Sequence, residues 1–134
     1  MRVETSFDLV GDLIGVDAVV VGPTGRAQVQ LILDTGAVMT TVVPSVADSI
    51  GYSSALRVGW TVTRTAAAEE RGYIVRSEVS TLGFTVPDLR IVIADLGYGI
   101  EGVLGMDFLR LFNLEIRPAE PRILVEKIGM HSRR

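Results

Sequence analysis

From Arg2 to Leu9 the chain alternates, with Val3, Thr5, Phe7 and Leu9 on one side of an extended backbone and Arg2, Glu4, Ser6 and Asp8 on the other. This period of two recurs through most of the sequence and restricts it to a fold of half-buried strands. Ile14 to Val21, a turn at Gly22-Pro23-Thr24-Gly25 and Ala27 to Leu33 predict a hairpin whose second strand ends at Asp34. Thr40 to Val43 predicts a short strand, and Pro44 opens a brief helix that runs through Ile50 and stops at Gly51. Leu56 to Thr65 and Gly72 to Leu82 predict a long projecting hairpin with a small polar tip, Ala66 to Arg71. Two further strands, Phe84 to Val86 and Leu89 to Ala94, precede a glycine-rich loop through Gly97, Gly99 and Gly102. Val103-Leu104-Gly105 then leads into a short helix, Met106 to Phe112, with Phe108, Leu109 and Phe112 on its apolar side. Leu114 to Ile116 and Ile123 to Val125 close the pattern as a hairpin. The fold class is all-β with one or two short helices. No internal linker or low-complexity segment appears, so residues 1–134 are expected to form a single domain.

Composition excludes much chemistry. Hydrophobic residues make up 48% of 134, enough to bury a core without metal or disulfide. The net charge of −3 is spread along the chain and only His131 to Arg134 is locally basic, which argues against nucleic acid and anionic membrane partners. There is no cysteine and His131 is the only histidine, so thiolate and Ser-His-Asp mechanisms are ruled out and an imidazole metal site is not expected. Catalysis is left to carboxylates. The N-terminal MRVETSFDLVGDL lacks a signal-peptide core, and no run approaches the ~18 apolar residues of a membrane helix. A cytoplasmic location is expected.

Among the carboxylates, Asp34 stands apart. In LILDTGAVMTTV an apolar strand delivers it to a turn of Thr35 and Gly36, and a second apolar, β-branched run follows. A carboxylate at the end of a buried strand needs donors or a neighbour with which to share a proton. Gly36 permits a tight turn whose amides can face the carboxylate, and the Thr35 hydroxyl can bond to a partner. Asp8, Asp12, Asp17, Asp48 and Asp88 read as solvated, Asp107 as a cap for the helix that follows it, and Glu69 and Glu70 as solubilising the hairpin tip. Trp60 reads as packing in the core or the hairpin.

Asp34-Thr35-Gly36-Ala37 after an apolar strand, followed far along the chain by Val103-Leu104-Gly105 and a helix, resembles the retropepsin-like aspartic proteases, relatives of the two-lobed pepsins. The resemblance runs from about Ile14 to about Val125, with the projecting hairpin in the place of the family's flap. The closing hairpin, Leu114 to Val125, is more similar to the end of a pepsin lobe than to a viral tail. This resemblance implies a closed acid-protease barrel and a water activated between two aspartates, one ionised and one protonated. Asp-Thr-Gly is written once here, so the pair implied is Asp34 from each chain of a homodimer, with Thr35 and Gly36 supporting the loop. Ala37, Val38, Met39, Ile93, Val103 and Leu104 would line pockets for hydrophobic side chains of a peptide or protein substrate. Ala66, Ala67 and Ala68 at the tip would cover it by strand-like pairing. No metal or organic cofactor is implied.

The chain departs from the viral pattern twice. Val38 and Met39 stand where viral enzymes commonly carry two acids, and Met106 stands where they carry an arginine that pairs with one of those acids. Both halves of the ion pair are replaced together, which predicts apolar contact between Val38 and Met106, within one chain or across the dimer. The rival reading is a non-catalytic protein-interaction module that keeps this fold. An aspartyl phosphotransferase would need Asp-Lys-Thr-Gly or Asp-x-Asp, and neither is present.

Overall fold

The computed structural model describes residues 1–64, 69–97 and 99–128. Eleven strands and two short helices follow one another along these residues. The first alternating stretch forms two strands, β1 (Arg2–Ser6) and β2 (Asp8–Val10), rather than one. Phe7 is buried between them and donates its amide to the Pro121 carbonyl at 3.1 Å, so the chain leaves one sheet and enters another at that residue. Leu9, expected on the buried side, is 67% exposed.

The expected hairpin is β3 (Leu13–Gly22) and β4 (Gly25–Leu33), paired from Gly15↔Ile32 to Gly22↔Gly25. β5 (Thr41–Val42) and α1 (Pro44–Ser49), with Pro44 in its first turn, follow as predicted. Leu56 belongs to a 3-10 turn, Ser54–Leu56, and the long hairpin is β6 (Gly59–Arg64) with β7 (Glu69–Thr81), paired from Gly59↔Ile74 to Arg64↔Glu69. Its turn, with Ala66, Ala67 and Ala68, lies outside the described residues, as does His131.

Phe84 to Ala94 is one strand where two were expected: β8 (Phe84–Ile93) runs through Pro87. The register with β7 shifts between Ser77 and Val79, and Pro87 sits in that irregularity, where its missing N–H costs no ladder bond. The second motif contributes β9 (Gly102–Leu104) and α2 (Met106–Leu109), a helix shorter than expected because Phe112 already belongs to β10 (Phe112–Arg117). β11 (Arg122–Lys127) completes the closing hairpin.

One sheet has the order β2-β3-β4-β9-β5-β8-β7-β6, and β3 also pairs with β7 through Ala18↔Thr81 to Val21↔Glu78. That extra pairing closes β3, β4, β9, β5, β8 and β7 into a barrel. A second sheet, β1-β11-β10, lies against it and contributes Ile123 and Val125 to the core. Leu31, Val42, Val75, Val79, Ile91, Leu104 and Phe108 fill the centre and are fully buried. Their burial is the main source of stability, at about 1.5–3 kcal/mol for each large side chain.

Candidate active site

The two sequence motifs, distant along the chain, meet because β4 and β9 lie parallel, with Leu31↔Gly102, Ile32↔Val103 and Leu33↔Leu104 as partners. Asp34 extends this ladder by donating its amide to the Leu104 carbonyl at 3.0 Å. The strand is buried up to Ile32 and half-buried at Leu33, whereas Asp34, Thr35 and Gly36 are exposed. The carboxylate therefore emerges at the surface of the single chain and does not end inside the core.

Two bonds shape the loop. The Ala37 amide donates to the Asp34 carbonyl at 3.2 Å, closing a turn over residues 34–37, and the Gly36 amide donates to Asp34 Oδ1 at 2.8 Å. A side chain on Gly36 would begin 3.2 Å from Oδ1, crowding the atom its amide holds. The Thr35 hydroxyl has no partner among the described residues.

α2 clamps the loop from behind. Met106 and Asp107 donate their amides to the carbonyls of Ala37 and Val38, at 2.8 and 3.1 Å. Asp107 then receives the Thr40 amide on Oδ2 at 2.9 Å and the Thr40 hydroxyl on Oδ1 at 2.8 Å. Thr40 is fully buried, and its hydroxyl oxygen accepts the Gly105 amide at 3.1 Å. Asp107 also receives the Phe108 amide at 2.8 Å, so the expected cap is a minor part of its work. It sits inside the helix, whose N-cap is Gly105, and ties the two motifs together. Thr40 was not singled out by the sequence, where it stands between Met39 and Thr41 at the start of a short predicted strand. Gly105 is required by proximity, since a Cβ there would lie 2.7 Å from the Met39 carbonyl carbon and 2.9 Å from the Ala37 carbonyl oxygen.

The other expected site residues divide. Ala37 and Met39 are half-buried beside the turn, Val38 is 81% exposed, and Val103 is half-buried on β9. Ile93 and Leu104 are corrections: at 2% and 0% exposure they belong to the barrel core and offer no surface to a ligand. The strand alternation that exposes Val103 turns Leu104 inward. Val38 and Met106 have adjoining backbones, but at 81% and 36% exposure their own chain does not supply the apolar surroundings expected for them. Asp8, Asp12, Asp17, Asp48 and Asp88 are all exposed, as expected, and Asp88 pairs with Arg76 at 2.7 Å. Trp60 is on the hairpin and outside the core, with the guanidinium groups of Arg57 and Arg71 at 4.6 and 4.0 Å from its ring.

The model of an aspartyl protease family matches residues 16–108, a span that holds both motifs and the barrel strands between them. The chain belongs to the aspartyl proteases. No curated protein sequence matches it. Among solved structures, this aspartyl protease is similar to a retropepsin-like aspartic protease from Rickettsia conorii, with a TM-score of 0.70 and 16% identity over 95% of this chain and 92% of the other. The EIAV protease, solved with the inhibitor HBY-793, gives 0.58 and 15% over 77% and 90%. The retroviral protease-like domain of Ddi1 from Leishmania major gives 0.54 and 12% over 87% and 94%. At these identities the likeness is one of fold, and that fold is retropepsin-like. No helix among the described residues is long and apolar enough to cross a membrane.

Proposed function

We propose that this aspartyl protease is a homodimeric endopeptidase in which Asp34 of each of two copies holds the attacking water. The observation that carries the reading is the Asp34 carboxylate itself: exposed at the tip of a clamped loop, with Oδ1 held by the Gly36 amide and Oδ2 free of any bond among the described residues. A carboxylate that only capped a turn would have no need of a loop braced by Thr40, Asp107 and Gly105. Residues 1–134 carry one such loop, which is half of a two-carboxylate site, and the unpartnered Thr35 hydroxyl suits a second copy.

In the dimer, one ionised Asp34 takes a proton from water as the water attacks the peptide carbonyl, and the other, protonated, donates to the carbonyl oxygen. The proton taken then passes to the leaving nitrogen as the carbon–nitrogen bond breaks, and a hydroxyl of the intermediate returns its proton to the other Asp34, which releases the acid product and restores the pair. In this reading the two carboxylates share one proton, so that one acts as base while the other acts as acid. Ala37, Val38, Met39 and Val103 form the apolar surface beside the loop and would receive hydrophobic side chains, while the β6–β7 hairpin would cover an extended peptide.

Asp34→Asn tests this. The change keeps shape and the Gly36 bond but removes the base, so peptide cleavage should fall at least about a hundredfold with folding and association intact. Unchanged turnover would make Asp34 structural. Association without cleavage by the wild type, across a peptide library at acidic pH, would favour the interaction-module reading.

A further inference from the structure

At the opposite end of α2 from the Asp34 loop lies a cavity of about 450 Å³, within the usual range for small-molecule sites. Phe84, Val86, Pro87, Leu111, Phe112 and Ile128 give it an apolar wall. Its floor is a ring cluster, Phe84 against Phe112 at 4.9 Å and Phe112 against the buried Phe108 at 5.2 Å. Met1, Thr85 and two basic side chains, Arg110 and Lys127, complete the lining, and no acid does. Both basic side chains are exposed, and neither has an ion-pair partner among the described residues.

We propose that this cavity binds an aliphatic carboxylate, with the chain against the Phe84–Phe112 floor and the carboxylate between Arg110 and Lys127. Apolar walls alone would accept any hydrocarbon; two unpaired cations at the edge select one with a negative end. The site does not depend on the proteolytic reading, since none of its residues belongs to the Asp34 loop.

The test uses the full chain and three probes below their micelle concentrations: decanoate, decanol and decyltrimethylammonium. Decanoate should bind saturably, raise the melting temperature and shift the methyl signals of Val86, Leu111 and Ile128. Arg110→Gln with Lys127→Gln should weaken decanoate about tenfold and leave decanol unchanged. Leu111→Trp, in the apolar wall of the cavity, should abolish binding of both while the far-ultraviolet spectrum stays that of the wild type. Equal affinity for the three probes, or an unchanged decanoate affinity in the double variant, would overturn the selection for a carboxylate. Shifts confined to other methyls would overturn the site. Shifts that follow protein concentration in place of decanoate would assign the cavity to contact between copies.

Discussion

Thr40 is the residue on which the Asp34 loop turns. Its hydroxyl donates to Asp107 and accepts from the Gly105 amide, so one buried atom just beyond the first motif satisfies two groups of the second. Thr40→Val keeps the volume and leaves the Gly105 amide and Asp107 Oδ1 short of a partner. The expected cost is about 2 kcal/mol in urea unfolding, and Thr40→Ser should recover most of it. Equal stability of the valine and threonine forms would show that water replaces the hydroxyl. Asp34, Thr35 and Gly36 could be picked out from the sequence because an apolar run that breaks off at a carboxylate and a Thr-Gly turn stands out from the alternation around it. Thr40 and Asp107 could not. Each looks ordinary beside its neighbours, and only the parallel approach of β4 and β9 brings them into one hydrogen-bond set.

Among the elements, the β3–β4 and β10–β11 hairpins were legible because their turns are written in glycine and proline, as at Gly22 to Gly25 joining β3 and β4. The misplaced boundaries share a cause: apolar spacing does not say which neighbour an apolar residue meets. Phe112 continues the spacing of Phe108 and Leu109, yet it pairs with Lys127 in β10. The alternation passes through Phe7 unbroken while the chain changes sheets. In β7, the half-buried Tyr73 carries a pH dependence. Burial first, and then the charge of Asp48, raise its pKa above the ordinary 10.0. Below that value the phenol is neutral in both folded and unfolded chains and its contribution is fully present. As pH rises from there through the higher folded-state value, the unfolded chain releases its proton first and stability is lost. Tyr73→Phe should therefore flatten the fall in urea midpoint between about pH 9 and about pH 11. An unchanged fall would assign it to other groups.

Taken whole, the molecule presents one Asp34 loop per chain beside two apolar residues, Val38 and Met106, that remain 81% and 36% exposed in their own chain. If a second copy covers them, specific activity should drop on dilution in step with the dimer fraction from sedimentation, and Val38→Asp should shift both curves to higher concentration. A monomer with full activity would exclude the shared site. The small sheet has a different bearing. β1 pairs with β11 from Arg2↔Glu126 to Ser6↔Arg122, joining opposite ends of the described chain. A contact of such sequence separation pays its loop-closure entropy late, so it should be missing from the folding transition state. Val3→Ala, at a half-buried site on that strand, should then speed unfolding about fivefold and leave the refolding arm of a chevron plot in place. Slower refolding would put the pairing in the nucleus. β1 is thus a latch on a finished barrel, and it is the lifetime of the folded protein, more than its speed of formation, that the first six residues govern.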